Sequence, residues 1–239
     1  MTIRTILFDL DGTLLPMNQQ QFMEHYLRAL TAHFSQFMPP EAFQKLLWKG
    51  THAMLNQQGS DKTNEVVFYS TFFEAYEDRR SEMIQTFERF YETDFEQAKK
   101  ATDTDDQMIA AVDQLQRKGY RMAVATNPLF PLKAVEKRLG WAGLYPHQFE
   151  FITSFETMHA CKPHVAFYQE VLDRMGIHPT STLMVGNDAH EDLMAGKLGL
   201  KTYLVTNCLL QADKQTMSPD FSGTSADFLS FVQALPPLK

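Results

Sequence analysis

The chain has 239 residues, of which 44% are hydrophobic and 21% charged, an ordinary balance for a soluble globular protein with a sizeable core. This length fits one large domain or a core with a smaller inserted unit. The formal net charge of −7 argues against a general nucleic-acid or membrane binder, because such proteins need a basic surface. An acidic protein can still hold a local anion site, so small phosphorylated ligands remain open.

The cysteine content and the apolar runs predict the compartment. Cys161 and Cys208 are too few for a disulfide framework and are typical of a reducing environment. The N-terminal apolar run is too short for a signal peptide, and Asp9 interrupts it. No apolar run approaches the roughly 20 residues that span a bilayer. We therefore expect a soluble cytoplasmic protein without nucleic-acid or membrane partners, and the sequence does not indicate an oligomeric state.

The first predicted element is a buried strand over residues 3–8, followed by a helical stretch from residue 17 to about residue 100. Along its first helix, apolar residues recur at steps of three and four: Phe22, Tyr26, Leu30, Phe34 and Phe37. Pro39-Pro40 and Gly59-Ser60-Asp61 divide the stretch into further helices, and the fourth is predicted over 81–95. Ten of the 19 phenylalanines lie in this stretch, so we expect it to have its own core.

After residue 103 the pattern changes to alternating helices and strands. Helices are predicted from Thr104 or Asp105 to Gly119, from Leu129 to Gly140, from Pro163 to Gly176, over 189–198 and over 225–233. Strands are predicted over 120–125, 149–153, 183–185 and 201–205, and a loop over 207–224. This alternation implies a parallel sheet with helices on both faces. We predict a doubly wound α/β core formed by residues 1–16 and 101–239, with a helical unit inserted at 17–100.

The first strand ends in two carboxylates, in the segment ILFDLDGT. Side chains alternate along a strand, so Asp9 and Asp11 point the same way. Two carboxylates at such a short distance repel each other, so each resists ionising beside the other. A cation, a shared proton or exposure to water would each offset this repulsion.

Polar clusters also follow the second, third and fourth strands of the predicted sheet. These clusters are Thr126-Asn127-Pro128, then Lys162-Pro163, then Gly186-Asn187-Asp188 with Asp192 four residues further on. In open parallel sheets ligands bind at the carboxyl ends of the strands. We therefore expect all the clusters to meet at one edge, where they would supply carboxylates, a hydroxyl, a backbone amide and an ammonium.

This set of groups fits phosphoryl transfer to an aspartate. One carboxylate attacks phosphorus and forms an acyl phosphate, which divides a difficult hydrolysis into two easier steps. The second carboxylate protonates the leaving oxygen and later deprotonates water. A magnesium ion would relieve the carboxylate repulsion and attract the phosphate. The threonine hydroxyl, the amide and the lysine would stabilise the transferring oxygens.

The motifs resemble those of the haloacid dehalogenase superfamily, in its phosphatase branch with a helical cap. Its signature Asp-x-Asp-Gly-Thr loop after the first strand is DLDGT at 9–13 here, and its second motif, a Thr or Ser that ends a later strand, is Thr126 in VATN. Its third motif, a Lys often before Pro, is Lys162 in CKPH, and its acidic fourth motif is matched less closely by VGNDAHED at 185–192. The four motifs occur in the family's order between residues 3 and about 206. The resemblance implies a Rossmann-like core and a cap at 17–100.

The resemblance also implies roles for the motif residues. Asp9 would be the nucleophile and Asp11 the general acid and base. Thr126 and the amide of Asn127 would bind phosphate, and Lys162 would steady the phosphate together with the nucleophile.

The first loop also contains Gly12 and Thr13, which the resemblance places beside the bound phosphate. Gly12 would shape the turn there, with Thr13 in support. Mg²⁺ would be held by the Asp9 carboxylate, the Asp11 carbonyl and a carboxylate of the fourth motif.

The fourth motif departs from the family pattern at one position. Asn187 stands where the family usually has Asp, and Asp188 follows it. Asn187 can offer an amide oxygen to Mg²⁺, whereas Asp188 can bind it directly or through water, and its charge favours Asp188. Asp192 is expected to orient Lys162 or a metal-bound water.

Alternative functions share these motifs. The dehalogenase branch of the superfamily typically lacks the second aspartate, so the presence of Asp11 favours phosphate chemistry. The leading hypothesis is a Mg²⁺-dependent phosphatase for a small phosphorylated metabolite. A sugar-phosphate phosphomutase and a non-catalytic protein that binds a phosphorylated ligand remain as alternatives.

Overall fold

A parallel six-stranded sheet lies at the centre of the computed structural model, which describes residues 3–238. The strands are β1 (Thr5–Phe8), β2 (Arg121–Val124), β3 (Phe151–Ile152), β4 (Thr182–Gly186), β5 (Lys201–Val205) and β6 (Phe221–Gly223), in the order β3-β2-β1-β4-β5-β6. All five strand pairs are parallel. With helices on both faces, this is the predicted doubly wound, Rossmann-like α/β fold.

The described residues contain eight α-helices, of which the first five lie in the segment between β1 and β2. The eight helices are α1 (Gln19–Phe34), α2 (Pro40–Leu55), α3 (Asn64–Phe72), α4 (Arg80–Glu92), α5 (Asp106–Arg117), α6 (Leu132–Trp141), α7 (Val165–Met175) and α8 (Ser225–Ala234). Four begin at a side-chain cap, for which Asn18, Thr63, Asp105 and Thr224 accept hydrogen bonds from first-turn amides. Between residues 3 and 238, no helix combines the length and hydropathy needed to cross a bilayer.

β1 lies at the centre of the sheet, where the strand order reverses. Thr5 is paired with Arg121 of β2 on one side and with Thr182 of β4 on the other. Ile6, Leu7 and Phe8 are completely buried, and each stabilises the fold by roughly 1.5–3 kcal/mol relative to an exposed side chain. The crevice beyond the carboxyl end of β1 is therefore the expected ligand site of this fold.

The helices α1 to α4 leave and rejoin the sheet at one point. Met17 and Thr102 form an antiparallel bridge, and the Asp103 amide donates to the Pro16 carbonyl at 2.9 Å. The chain that enters the helical segment thus lies against the chain that leaves it, as in an inserted unit. We propose 17–100 as the bounds of this unit, called the cap below.

The phenylalanines of the cap pack against one another. The ring centroids of Phe34 lie 4.5 Å from those of both Phe43 and Phe87, and the ring of Phe72 lies 5.3 Å from that of Phe87. Phe34, Phe43 and Phe72 are completely buried. These contacts join α1, α2, α3 and α4.

The cap also contacts the core at a second place, far along the chain from its two connections. Gln58 bridges Ala160 in antiparallel fashion, and the Gly59 amide donates to the His159 carbonyl at 3.2 Å. The Asn64 amide donates to the Met158 carbonyl at 2.8 Å. The segment of residues 57–65 therefore lies along the segment that leads into Lys162.

The prediction of an α-helix over 189–198 was wrong. A 3₁₀ helix forms instead over Asp192–Leu198. The Asp188 carboxylate accepts hydrogen bonds from the amides of His190 and Glu191, both at 2.8 Å. Such local side-chain bonds to the backbone compete with an α-helix.

Three predicted helix boundaries also differ. The helix expected from Leu129 begins at Leu132, because Pro131 disfavours helical geometry in the residue before it. The helix expected at Pro163 begins at Val165. The fourth cap helix, predicted over 81–95, ends at Glu92; Thr93 leaves helical geometry, and a 3₁₀ helix over Asp94–Ala101 follows.

The predicted loop over 207–224 contains two short elements, a 3₁₀ helix over Ala212–Lys214 and the edge strand β6. The Asp220 carboxylate accepts a hydrogen bond from the Thr202 amide at 3.0 Å, which places the chain beside β5. Three residues with an exposed apolar side chain give no strand periodicity, so the pattern did not reveal β6.

Candidate active site

Asp9 is the first residue after β1, and the neighbouring strands hold its backbone. Its amide donates to the Val185 carbonyl of β4 at 2.8 Å, while the Ala125 amide after β2 donates to the Phe8 carbonyl at 2.6 Å. The Asp9 side chain is largely buried, and its Oδ1 accepts a hydrogen bond from Lys162 Nζ at 2.8 Å. The sheet thus fixes the backbone of Asp9, and Lys162 fixes one oxygen of its carboxylate.

Lys162 lies between two carboxylates. Its Nζ is 2.8 Å from Asp9 Oδ1 and 2.7 Å from Asp192 Oδ1, and its side chain is only 1% exposed. Burial alone would lower the pKa of Lys162, but Asp192 and then Asp9 outweigh it and hold that pKa well above its usual range. Lys162 therefore carries a positive charge at neutral pH.

Asp11 is bonded to a residue that the motifs did not single out. Its Oδ2 accepts a short hydrogen bond from Nη1 of Arg138, which lies on α6 and is completely buried. The Arg138 Nε donates to the Ala134 carbonyl at 3.2 Å, and the guanidinium lies 4.4 Å from the ring centroid of Phe130. Burial raises the pKa of Asp11, although Arg138 partly offsets this.

Helical spacing in the sequence could have revealed Arg138. The buried face of α6 includes Ala134, Val135 and Leu139, and Arg138 falls on that face at steps of three and four. A charged residue on an apolar helix face needs a partner of opposite charge. The sequence pattern supplies no such partner, because Asp11 lies 127 residues away.

Gly12, Thr13 and Asn187 form one contact between the first and fourth motifs. The Thr13 hydroxyl lies 3.3 Å from Asp9 Oδ2 and 3.0 Å from Asn187 Oδ1. Gly12 has φ +89°, and a Cβ added there would lie 2.3 Å from the Asn187 amide nitrogen. The close approach of the two loops therefore requires glycine at this position.

Asn127 joins the second, third and fourth motifs. Its Oδ1 accepts a hydrogen bond from the Lys162 amide at 3.2 Å, and its Nδ2 donates to Glu191 Oε2 at 3.1 Å. Thr126 precedes it at the end of β2, where its carbonyl accepts a hydrogen bond from the Thr153 hydroxyl at 2.7 Å. Thr126 and Asn127 both line the cavity that contains Asp9.

Asp188 and Asp192 differ in what they contact. Asp188 Oδ2 accepts a hydrogen bond from the side-chain Nε2 of Gln211 at 2.7 Å, and Asp188 Oδ1 accepts two from backbone amides. Asp192 bonds to Lys162 through Oδ1, and its Oδ2 accepts a hydrogen bond from the Asp188 amide at 2.9 Å. Asp192 thus lies where it can orient Lys162, and three donors already engage the Asp188 carboxylate.

Residues of the first, second and fourth motifs line one cavity of about 120 Å³, and Lys162 of the third motif is bonded to two carboxylates of this lining, Asp9 and Asp192. Five carboxylates line the cavity, those of Asp9, Asp11, Asp188, Glu191 and Asp192. Lys162 and Arg138 are bonded to three of them, which leaves negative charge in excess. Burial is the largest cause that raises the pKa of Glu191 to about 7 and that of Asp192 to about 6.

The donor set of this cavity fits a hard divalent cation. Within residues 3–238 no preformed group of three or more His, Cys, Asp or Glu side chains is arranged as a metal cage. The oxygens of Asp9, Asn187 and Asp188 are nevertheless the ligands that Mg²⁺ prefers. Asp11 Oδ1 is buried without a hydrogen-bond partner in the described chain, so the site contains an oxygen that a bound cation or substrate group would satisfy.

Comparison with known proteins gives relatives that match over almost the whole chain. Pyrophosphatase PpaX from Bacillus cereus (strain AH820) is 26% identical over 223 residues, which cover 92% of each chain. A predicted phosphoglycolate phosphatase from Haemophilus somnus 129PT superposes with a TM-score of 0.59 at 19% identity, over 98% of this chain and 99% of that one. The L-2-haloacid dehalogenase from Xanthobacter autotrophicus gives a TM-score of 0.59 at 16% identity, with coverage of 98% and 100%.

These two solved structures share the fold of the chain. The family model described as haloacid dehalogenase-like hydrolase matches residues 6–205, which include all four motifs. The chain is therefore a member of the haloacid dehalogenase-like hydrolases.

Proposed function

We propose that the protein is a Mg²⁺-dependent phosphatase that hydrolyses a small phosphorylated metabolite through a phosphoaspartate on Asp9. The observation that carries this proposal is the 2.8 Å contact between the buried Lys162 and Asp9, which lines one cavity together with Thr126 and Asn127. The relatives named as pyrophosphatase and phosphoglycolate phosphatase support phosphoryl chemistry. The presence of Asp11 supports it over dehalogenation.

In the first step, Asp9 Oδ2 attacks the phosphorus atom. Lys162 holds Oδ1 at 2.8 Å, whereas Oδ2 has only the longer 3.3 Å contact with the Thr13 hydroxyl, so Oδ2 is the oxygen that forms the new bond. The bond from phosphorus to the leaving-group oxygen breaks, and an acyl phosphate remains on Asp9. The Thr126 hydroxyl, the Asn127 amide and the Lys162 ammonium stabilise the charge on the transferring oxygens.

Asp11 supplies and removes the protons. It protonates the leaving alcohol in the first step and deprotonates the attacking water in the second, which releases phosphate and restores the Asp9 carboxylate. Burial raises its pKa and so favours the protonated form that the first step needs. Arg138 fixes the orientation of the carboxyl group through Oδ2 and leaves Oδ1 for the proton transfer.

Asp9, the Asp11 carbonyl and the amide oxygen of Asn187 or the carboxylate of Asp188 would hold Mg²⁺. When bound, the ion neutralises the carboxylates and attracts the phosphate. Asp188 already accepts three hydrogen bonds, whereas the Asn187 amide oxygen accepts one, from Thr13, and this difference favours Asn187 as the direct ligand.

Phosphate release from a panel of phosphoesters tests the proposal. We expect turnover with Mg²⁺, silence after chelation by EDTA and recovery when Mg²⁺ is restored. Asp9→Asn should abolish turnover and leave the circular dichroism spectrum unchanged, whereas Asp78→Asn at an exposed position of the cap should behave like wild type. A wild-type rate in the Asp9→Asn variant, or a metal-independent rate, would contradict the proposal. A rate that requires a sugar bisphosphate would point to a mutase instead.

A further inference from the structure

A second cavity, lined almost entirely by apolar side chains, adjoins the acidic one. It has a volume of about 250 Å³ and lies between the cap helices and the loops that follow β2 and β3. Leu129 and Phe130, which follow the Thr126-Asn127 segment, line both cavities. The two cavities therefore share a wall formed by these two residues, and the apolar cavity lies next to the place where a phosphate would contact Asp9.

The lining of this cavity is mostly aromatic. Its larger members include Trp48, Phe68, Tyr69, Phe87, Phe130 and Phe155, and no Lys, Arg, His, Asp or Glu side chain belongs to it. Such a wall favours a flat or branched apolar group, because aromatic faces and edges pack closely against one another. A sugar or a second phosphate would lose its hydrogen bonds to water here without replacement.

The polar atoms in the lining are mostly engaged. The hydroxyls of Tyr26 and Tyr91 lie 3.0 Å apart and bond to each other, and the Thr51 hydroxyl donates to the Leu47 carbonyl at 2.9 Å. The Tyr69 hydroxyl has no hydrogen bond within residues 3–238. The indole N–H of Trp48 also has no hydrogen bond in this part of the chain, so these two lining groups can each donate one to a neutral polar atom of a ligand.

Carboxylates near Tyr69 oppose a second anion on the ligand. Burial raises the pKa of Tyr69, and the nearby Glu65, Glu88 and Glu156 raise it further. Burial is also the largest cause that raises the pKa of Glu65, and Glu156 and Glu88 add to it, although none of the three carboxylates lines the cavity. A leaving group with its own phosphate or carboxylate would meet this field without a cation in the lining to stabilise it.

We propose that the apolar cavity binds the leaving group of the substrate, and that the substrate is the phosphomonoester of an apolar, preferably aromatic, alcohol without a second anionic group. A cavity of roughly 150 Å³ accommodates benzene, so about 250 Å³ accommodates a leaving group of about ten non-hydrogen atoms. This rests on the proposed phosphatase activity. The proposed substrate class differs from the pyrophosphate and phosphoglycolate for which the relatives are named, because the leaving groups of those two compounds are anionic.

Steady-state kinetics with a matched set of alkyl phosphates test the proposal. 3-Phenylpropyl phosphate, propyl phosphate and glycerol 3-phosphate all have alkanol leaving groups, so they differ chiefly in what enters the cavity; pyrophosphate adds a second anion. We expect kcat/KM for 3-phenylpropyl phosphate to exceed that for propyl phosphate about 30-fold through burial of the ring, mostly through a lower KM. An equal or greater kcat/KM for glycerol 3-phosphate or pyrophosphate would overturn the proposal while leaving phosphatase activity established.

A charge placed in the lining provides the matched variant. Thr51→Lys puts an ammonium at the cavity wall, and we expect it to reduce the preference for 3-phenylpropyl over propyl phosphate at least tenfold. Thr71→Lys is the control, since Thr71 also donates to a carbonyl one helical turn earlier but does not line the cavity. An unchanged preference in Thr51→Lys, in a protein that melts like the control, would refute the role of the cavity.

Binding of the product alcohol supplies a readout that does not need turnover. Titration with 3-phenylpropan-1-ol, followed by the fluorescence of Trp48 at the cavity wall, should saturate in wild type and in Thr71→Lys but weaken in Thr51→Lys. Binding of the alcohol with no phosphate released from any ester would refute the phosphatase and leave the cavity assignment supported. Phosphate release with no alcohol binding would refute the cavity assignment alone.

Discussion

The carboxyl group of Asp11 has two environments. One side faces the acidic cavity, where its side chain is 24% exposed, and the other is bonded to the fully buried Arg138. An arginine removed from water without a partner is strongly destabilising, so this contact fixes both side chains. The ring of Phe130 covers the guanidinium and separates it from the apolar cavity.

Removal of Arg138 should therefore destabilise the fold through the carboxylate that it leaves behind. We expect Arg138→Met to lower the free energy of unfolding by about 3 kcal/mol, as measured by urea denaturation. In the double variant with Asp11→Asn the loss should be smaller than the sum of the two single losses, because no unpaired charge remains. Additive losses, within about 0.5 kcal/mol, would show that the pair is not coupled.

Asp11→Asn tests the proton transfer separately from the nucleophile. Asparagine keeps the shape of the side chain but cannot donate an acidic proton, so we expect kcat to fall about 10²–10⁴-fold for alkyl phosphates. Aryl phosphates with an acidic phenol need less protonation and should lose less. The same loss for alkyl and aryl substrates would show that Asp11 does not act as the general acid.

At the scale of residues, the sequence pointed to the site residues that belong to a motif and missed Arg138, which belongs to none. Residues of DLDGT, VATN and VGNDAHED line one cavity at the carboxyl ends of the parallel strands, and Lys162 of CKPH is bonded to two carboxylates of this cavity. Arg138 has no motif, and its partner is far away in the chain. From the sequence, the choice between Asn187 and Asp188 as the metal ligand depended on the charge of Asp188. The hydrogen-bond donors that already engage Asp188 can be seen only in the structure.

At the scale of elements, α3 joins the cap to the loops of the site through Asn64. This residue is completely buried, and its Nδ2 lies 3.3 Å from the Pro128 carbonyl, 3.4 Å from the Ala160 carbonyl and 3.3 Å from Cys161 Sγ. Pro128 follows the second motif and Cys161 precedes Lys162. One cap side chain therefore contacts both loops that carry the residues proposed to bind phosphate.

Asn64→Ala should loosen this contact. Two carbonyls lose a donor in a buried place, so we expect the free energy of unfolding to fall by about 2 kcal/mol and KM for phosphoesters to rise. Asn56→Ala is the matched control, because Asn56 is exposed and its side chain makes no hydrogen bond in the described chain. If both variants unfold at the same urea concentration, Asn64 does not hold the cap on the core.

Elements were predictable where a periodic pattern defined them. The strands β1, β2, β4 and β5 are continuous buried runs, and α1 and α5 combine a capping residue with apolar residues at helical spacing. The 3₁₀ helix over Asp192–Leu198 escaped prediction because side-chain bonds from Asp188 replace the first helical turn. The short edge strand β6 has too few residues for any period.

At the scale of the whole molecule, negative charge is concentrated where the fold brings distant segments together. The chain carries a formal charge of −7, and five of its carboxylates share one cavity. A divalent cation bound with an anion there would bind only the folded state and stabilise it.

Thermal unfolding should report this binding directly. At a hundredfold excess over the dissociation constant, Mg²⁺ with inorganic phosphate should stabilise the protein by about 2.7 kcal/mol, which for a chain of this size raises Tm by roughly 5–10 °C. KCl at equal ionic strength is the control for screening, and EDTA should reverse the shift. An equal shift in KCl would mean that the carboxylates respond to general screening and not to a bound cation.

Chemical trapping of the phosphoaspartate tests the central claim most directly. Borohydride reduces an acyl phosphate to the alcohol, so protein quenched during turnover and analysed by peptide mass spectrometry should contain homoserine at residue 9, and only when substrate and Mg²⁺ are present. The Asp9→Asn variant should contain none. Turnover without homoserine at residue 9, or with homoserine at Asp11 or Asp188 instead, would contradict the assignment of Asp9 as the nucleophile.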